Sequence, residues 1–475
     1  MSFSHILKRK KLSDVFTPNT TAKLAYVNRR YLESDLDRYL DIPGNQIVVY
    51  GHSGGGKTTL VRSMLSRKKI KYIRTHCESA TTFNEILLNG FDQLGNFYTK
   101  SKSNTQSESK ESNLGLAYEQ ISFAVKGTNS TSKSEAKERV VPIQLTPQRL
   151  AEFLGHAECV WILEDFHKVN EDEKRRVSDM VKIFVDMAND YPVCRIICIG
   201  AVATARELIE YDSNLNTRVS EMFVPLMRNT EIQSIVDKGM RLLNLEISAA
   251  MSEKIVYYSN GLAAVCHQMC YDLCYGVGVR KTKLFRGYLS EDDFRDSVNA
   301  YVRKNSDTFV KLYDSISSEG IGGDVLRLLV HLDEDGAAVD RICGEMQKQR
   351  LDNESLVYEV LEKLSSSQYS DVLRFDRASH KYSISNPLFA AFLKMKYALE
   401  HVEAKERNRA RQNQRRNKYR LKAREEMPGI PVGGQIWDEE LLNKYYQYLD
   451  NYVIRTKEIE IRIRKSLDEE SGSAS

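Results

Sequence analysis

The chain has 475 residues, of which 41% are hydrophobic and 28% are charged. This length predicts about two to four domains, and this apolar content excludes a wholly disordered protein. No stretch approaches about 18 consecutive apolar residues and the first residues lack the order of a secretory signal, so we expect a cytoplasmic protein with no membrane partner. The eight cysteines form no CxxC pair, which favours buried free thiols over disulfides or a zinc ribbon.

The positive charge is concentrated in one segment. The net charge is +4, yet residues 400–424 contain ten Lys or Arg and three Glu, which sum to +7 and leave −3 for the remainder. A basic segment of this kind, here from Arg407 to Arg424, is typical of surfaces that meet nucleic acid, another anionic surface or an acidic protein. A solvated basic helix without a dedicated partner is the alternative.

Strands alternate with helices in the first half of the chain, after an irregular lead-in of about 20 residues and a predicted helix at 22–40. The other predicted helices are 60–66, 83–98, one starting at Pro147, and 171–189, and the predicted strands are 47–50, 71–76, 159–163, 195–199 and 222–224. This alternation predicts an α/β fold with a parallel sheet covered by helices. The polar residues 101–138 are predicted to be a flexible insertion, with a short hairpin at 117–125 as an option.

The second half is mostly helical. Residues 230–304 show no strong strand pattern. Three short amphipathic helices and two short strands follow, at 325–332, 339–347, 355–364, 373–376 and 381–384. This order predicts a winged helix. A basic helix over 400–426, a break at 427–434, a last helix at 439–466 and a disordered tail complete the chain.

A glycine-rich loop lies between the first predicted strand and the next helix. Its sequence, Gly51-His-Ser-Gly-Gly-Gly-Lys57-Thr58, matches GxxxxGK[ST] completely. Backbone N–H groups of such a loop bind phosphate oxygens at the positive end of the following helix. Lys57 would reach the β- and γ-phosphates, and Thr58 would bind Mg²⁺. We therefore expect ATP and Mg²⁺ to bind at Gly51, Ser53, Gly54, Gly55, Gly56, Lys57, Thr58 and Thr59.

Two acids end the apolar strand 159–163. A site of this kind needs one carboxylate for the Mg²⁺ shell and one to orient water. We assign Glu164 to Mg²⁺ and Asp165 to water activation, and the reverse order is open. Capping of the next helix is the alternative for both.

These motifs, with residues 26–30 before the loop, resemble AAA+-related P-loop ATPases of the origin-recognition-like and STAND-like bacterial type. The resemblance covers about residues 22–399. It implies a P-loop NTPase domain at 1–229, an all-α lid at 230–318, a winged helix at 319–399 and a basic helical C-terminal extension at 400–475. It also implies ATP hydrolysis and a base packed near residues 16–30, where Arg29 and Arg30 are alternatively helix-surface charges.

Three further residues follow from the resemblance alone. Arg218 lies in a segment similar to the arginine-bearing segment of those ATPases, and would act on the γ-phosphate in cis, in trans, or only structurally. His267 ends a stretch similar to the lid motif, and would approach the phosphates or pack inside the lid. Thr204 is the polar sensor candidate, or caps a helix. The family commonly has Asp first in the acidic pair, so Glu164-Asp165 is a departure that leaves a low hydrolysis rate open.

Three functions are consistent with these features. The first is an ATP-driven switch that assembles into a homo-oligomer, with a separate effector protein, for example in bacterial antiviral defence. The second is an initiator-like or transposition-regulator-like ATPase that binds DNA through the basic helix and the wing residues Arg374, Arg377, His380 and Lys381. The third is a nucleotide-gated scaffold without hydrolysis. For the winged helix, a purely packing role is the alternative to DNA binding.

Overall fold

The computed structural model describes residues 9–102, 145–201, 215, 217–318, 320–332, 336–348 and 354–426. Five predictions lie wholly or largely outside these ranges: the insertion 101–138 with its hairpin, the sensor candidate Thr204, the break at 427–434, the helix 439–466 and the disordered tail. Among the described residues, none of the helices combines the length and the apolar character that crossing a membrane requires.

A five-stranded parallel sheet forms the first region, in the order β2-β3-β4-β1-β5. Its strands are β1 Gln46–Gly51, β2 Lys71–His76, β3 Cys159–Glu164, β4 Ile196–Gly200 and β5 Val219–Val224. Each predicted strand is present, within a few residues of its predicted ends. Because all strands run in one direction, their carboxyl ends share one edge of the sheet, and the glycine-rich loop and the two acids follow at that edge.

Helices cover both faces of this sheet, as predicted. They are α2 Arg30–Asp41, α3 Lys57–Arg67, α4 Phe83–Lys102, α5 Pro147–His156 and α6 Glu171–Met187. Side chains of a strand point alternately to opposite faces, so Ile47 and Val49 pack with α2 and α3 while Val48 and Trp161 pack in the core under α4, α5 and α6. Thr146 caps α5 through the Arg149 N–H, with Pro147 in its first turn.

The predicted helix at 22–40 is wrong in its first part, because helix α2 begins only at Arg30. Residues 17–29 instead run as irregular chain along the cavity described below. The lead-in also contains one short helix, α1 Leu12–Val15, which buries Leu12 and Val15 in the core of the helical region. Tertiary burial rather than local propensity decides both outcomes.

The helical region that follows contains α7 Asn229–Leu243, β6 Leu245–Glu246, α8 Ala249–Ser259, α9 Ala263–Gly276, β7 Gly287–Tyr288, α10 Glu291–Lys304 and α11 Lys311–Ser317. The next elements are α12 Gly322–His331, β8 Ala337–Ala338, α13 Val339–Lys348, α14 Glu354–Leu364, β9 Leu373–Asp376, β10 Lys381–Ile384 and α15 Pro387–Glu426. The sequence patterns do not predict strand β8, which pairs antiparallel with β10 at the edge opposite β9. From Val402 onward α15 belongs to a second unit of the chain.

All eight cysteines are free and buried, which confirms the prediction of buried thiols. Their surroundings are apolar, and burial raises the pKa of Cys77, Cys159 and Cys194 to about 12. Such thiols are protonated at neutral pH and are packing side chains rather than nucleophiles.

Candidate functional site: a nucleotide cavity at the sheet edge

A cavity of about 600 Å³ lies at the carboxyl edge of the sheet. Its wall combines the glycine-rich loop and the acids at the end of β3 with the irregular chain before α2 and the start of α9. Its walls include Thr17, Tyr26, Arg29, Ser53, Gly54, Gly55, Gly56, Lys57, Thr58, Thr59, Arg74, Glu164, Asp165, Ala264 and His267. Of the predicted site residues, Gly51 and Arg218 are not in this wall.

The backbone of the loop requires glycine at both of its ends. Gly51 has φ of 151°, and a Cβ there would lie 2.3 Å from the Val224 carbonyl oxygen of the neighbouring strand. Gly56 has φ of 90° and immediately precedes helix α3. L-residues with a side chain rarely adopt either conformation. The close contact with β5 and the start of α3 thus position the loop backbone. Lys57 and Thr58 are the first two residues of α3.

The Lys57 ammonium lies inside the loop. Its Nζ donates to the carbonyl oxygens of Gly51 and His52, both at 2.9 Å. Burial lowers the pKa of Lys57, and the Asp165 charge opposes that shift. Burial also lowers the pKa of His52, with further lowering by the charges of Arg374 and Lys57. The loop therefore holds one half-buried cation that an anionic ligand can meet.

The two acids differ in environment. The Glu164 side chain is 11% exposed and lies between Arg74, 3.4 Å from Oε1, and His76, 3.6 Å from Oε2. The Asp165 side chain is about half exposed and pairs with Lys168 at 2.8 Å, and the backbone φ of Asp165 is 58°. Sequence reasoning missed Arg74 and His76. The feature that could have identified them is the polar end of the predicted strand 71–76. This strand pairs in parallel with β3, so its last residues lie beside Glu164.

The part of the cavity wall around Thr17 and His267 contains an uncharged histidine. His267 is 3% exposed, its Nδ1 accepts the Thr17 N–H at 3.2 Å, and burial lowers its pKa to about 4. The ring is therefore uncharged near pH 7, and with Nδ1 accepting, the proton sits on Nε2. The Thr17 hydroxyl is buried and has no hydrogen-bond partner among the described residues. Of the two predicted arginines, Arg29 is buried and pairs with Glu231 at 3.4 Å, whereas Arg30 is exposed.

The loop is connected to the helical region. The Ala264 N–H, in the first turn of α9, donates to the Gly54 carbonyl oxygen at 3.4 Å. Just before α9, the Asn260 side chain donates to the Pro387 carbonyl oxygen at 3.0 Å and accepts from Lys394 Nζ at 2.9 Å. A short series of contacts thus joins the loop, the start of α9 and the start of α15.

Arg218 lies at the wrong edge of the sheet for the cis role. It directly precedes β5, whose first residue pairs with β1 at Gln46, whereas the loop follows the last residue of β1. At about 3.3 Å per residue, the two ends of β5 are roughly 16 Å apart. The guanidinium is half exposed and pairs with Asp186 at 3.2 Å. The expectation that Arg218 acts on the γ-phosphate of its own chain is therefore wrong.

A glycine-rich loop between a strand and a helix, acids on a neighbouring strand and a parallel sheet between helical layers define a P-loop NTPase. The sequence profile of a family described as an ATPase domain predominantly from Archaea matches residues 26–266, slightly more than half of the chain. The chain belongs to this family. It therefore contains a P-loop ATPase domain, and the nucleotide of this family is ATP.

Solved structures similar to this chain come from several proteins, whereas no curated protein sequence matches it. The Walker-type ATPase of Pyrococcus abyssi is 14% identical, with 79% of this chain and 98% of that chain covered and a TM-score of 0.48. The Aeropyrum pernix ORC2 protein, in ADPNP–ADP complexes, is 13% identical, with 83% and 99% covered and a TM-score of 0.44. The Thermotoga maritima RuvB Holliday junction branch migration motor is 12% identical, with 79% and 95% covered and a TM-score of 0.36.

Proposed function

We propose that this protein is an ATP-hydrolysing molecular switch whose nucleotide state controls its self-assembly. The observation that supports this most directly is the series of contacts from Gly54 through Ala264 and Asn260 to Lys394. A ligand shifts a conformational equilibrium only if it binds one state better than the other. Because both the loop and the start of α9 line the cavity, ATP would contact the first two members of this series directly.

In this proposal the triphosphate binds at the loop and the base binds beside Thr17 and His267. Lys57 would exchange its two backbone carbonyl partners for phosphate oxygens. The donors near the phosphates are the Thr58 hydroxyl and the Glu164 and Asp165 carboxylates, the hard oxygen ligands that suit Mg²⁺. When bound, Mg²⁺ would neutralise phosphate charge. Glu164, held by Arg74 and His76, would belong to the metal shell, and the exposed Asp165 would orient the attacking water.

Lys394 provides the most direct test of the switch. It is 5% exposed, donates to Asn260 and lies over the Tyr257 ring. Lys394→Met keeps the apolar stem and removes the ammonium. We expect the variant to bind ATP like the wild type in a melting assay, but to lose the ATP-dependent change in mass seen by light scattering. Lys396→Met, on the same helix and paired with Glu400, is the control. An unchanged mass of the wild type with and without ATP would contradict the proposal.

DNA binding is the second candidate function, and one observation favours it. The side chains of Arg407, Arg409, Arg411 and Arg415 are exposed on α15. Replacing these four by Gln should weaken binding of duplex DNA and lower the slope of log affinity against log salt by about 0.9 for each phosphate that is no longer neutralised. Filter binding at several salt concentrations measures this. A wild type without salt-sensitive affinity removes the DNA candidate, including any role of the proposed winged helix at 319–399 and its wing.

The third candidate, a scaffold that binds ATP without hydrolysing it, rests on the departure at Glu164-Asp165. Turnover by the wild type that disappears in Asp165→Asn, with ATP binding retained, would eliminate it. A setting in antiviral defence with a separate effector is proposed from the family resemblance alone. Plaque counts of phage on cells carrying the wild type or Lys57→Ala would test it, and equal counts would contradict it.

A further inference from the structure

Two basic segments that are far apart in sequence lie side by side. Residues 9–11 (Arg-Lys-Lys) pair antiparallel with the chain around Lys281. Thr282 N–H donates to the Lys10 carbonyl oxygen at 2.9 Å, and Leu12 N–H donates to the Arg280 carbonyl oxygen at 2.9 Å. The segment 280–288 reads Arg-Lys-Thr-Lys-Leu-Phe-Arg-Gly-Tyr. Neither segment contains an acidic residue, so the pairing creates one basic surface from two separate parts of the chain.

The basic surface comprises Arg9, Lys10, Lys11, Arg280, Lys281, Lys283 and Arg286, of which Arg286 pairs with Glu246 at 3.1 Å. Apolar side chains are exposed among these cations: Phe285 is 85% exposed, Tyr288 is 74% exposed and Leu284 is 62% exposed. The segment that carries them is held in place. Asn244 Nδ2 donates to the carbonyl oxygens of Lys283 and Leu284 at 3.2 and 3.4 Å, and Gly287 N–H donates to the Asn244 carbonyl oxygen at 3.0 Å. Two large aromatic rings are thus exposed on an ordered segment.

We propose that this surface binds single-stranded nucleic acid. Proteins that bind single strands without sequence preference combine cations along the backbone path with exposed aromatic rings on which bases stack. Here Lys281 and Lys283 would meet phosphates, and Phe285 and Tyr288 would each take a base. The bases of a duplex already stack on one another, so duplex DNA would contact the cations without stacking on either ring. A lipid surface would bury the apolar side chains, but these three residues form no amphipathic helix.

The surface is separate from the features used so far. Its residues do not line the nucleotide cavity, and it lies before Val402 in the chain, whereas the exposed arginines of α15 lie after it. The proposal therefore stands independently of ATP hydrolysis and of duplex binding by α15. Fluorescence anisotropy of a labelled oligothymidine with the full chain, without nucleotide, is the direct test.

We expect Phe285→Ala to weaken oligothymidine binding roughly 5- to 150-fold, the range for removal of one stacked base. Lys281→Ala with Lys283→Ala should weaken it and lower the salt slope by about 0.7 for each phosphate that is no longer neutralised. The matched control is Lys311→Ala with Lys348→Ala, two exposed lysines elsewhere that change the net charge equally.

Several results would overturn the proposal. They are no wild-type binding, an equal weakening in the control pair, unchanged binding by Phe285→Ala, and binding to vesicles of phosphatidylserine with none to oligothymidine. Retained binding that disappears only when the α15 arginines are replaced would also overturn it, because the single strand would then bind elsewhere. Since all substituted side chains are exposed, the variants should fold, and a melting curve of each checks this.

Discussion

Two parts of the nucleotide cavity wall, the phosphate end at the loop and the Thr17–His267 side, differ in how the chain assembles them. The phosphate end holds Lys57, Glu164 and Asp165, and most of it comes from one continuous stretch, 51–59. The other side contains the uncharged His267 and the Thr17 hydroxyl, which has no partner among the described residues. Thr17 and His267 are hydrogen-bonded although 250 residues separate them in the chain. The phosphate end suits the triphosphate, which is the same in every nucleoside triphosphate. We propose that the Thr17–His267 side contacts the base, and we expect it to determine which nucleotide binds.

At the phosphate end, Lys57→Ala should produce the strongest change in activity. It should lower the ATP turnover rate by at least about 100-fold, the usual cost of removing a donor that stabilises developing charge. Steady-state phosphate release measures this, with the exposed Lys348→Ala as the control. Because Lys57 bonds only to the carbonyls of its own loop in the described structure, the melting temperature without nucleotide should change little. A turnover rate equal to that of the wild type would contradict the assignment of this end to phosphate.

Gly51→Ala should destabilise the fold itself. Its Cβ would lie 2.3 Å from the Val224 carbonyl oxygen, so we expect a decrease of about 3 kcal/mol in the free energy of unfolding. Urea titration measures it. Gly276→Ala, where nothing lies within 4 Å of an added Cβ, should be neutral or slightly stabilising. Similar midpoints for both variants would show that the strand contact does not position the loop.

The titration of His267 should make the free energy of unfolding depend on pH. His267 has a folded pKa of about 4, below the unfolded value of about 6.5. As the pH falls below about 6.5 the unfolded chain binds the proton first, so stability should decline by about 3 kcal/mol towards pH 4. In His267→Asn, which keeps an acceptor for Thr17 N–H but does not titrate, this part of the decline should be absent. Parallel pH profiles of unfolding free energy for both proteins would contradict a neutral, buried histidine.

Thr17→Val tests whether the Thr17 hydroxyl contributes to nucleotide affinity. The methyl group replaces a buried hydroxyl that has no partner in the described structure, so stability without nucleotide should hold or rise. If the hydroxyl bonds the base, ATP affinity should fall about tenfold, which corresponds to about 1.4 kcal/mol. Calorimetric titration with ATP and with GTP measures both affinities. Unchanged affinity for both nucleotides would remove Thr17 from base recognition.

Replacement of Arg218, which does not line the cavity, should have the smallest effect on turnover. Arg218→Ala should change turnover less than about twofold, since Arg218 lies at the end of β5 away from the loop, one strand length of about 16 Å, and pairs with Asp186 there. Turnover is best compared at several protein concentrations. A large decrease that appears only at concentrations where the protein assembles would point to action in trans.

The phosphate loop, the order of strands and helices, and the acidic pair could all be predicted from the residues alone. Each is encoded locally: the loop in one contiguous motif, and each strand in a short apolar run. Which side chains meet across long separations depends instead on how the elements pack. Arg218 and Lys57 flank neighbouring parallel strands, yet at opposite edges, because one precedes its strand and the other follows it. His267 meets Thr17, and residues 9–11 meet Lys281, through burial of the surrounding helices, which no local pattern records.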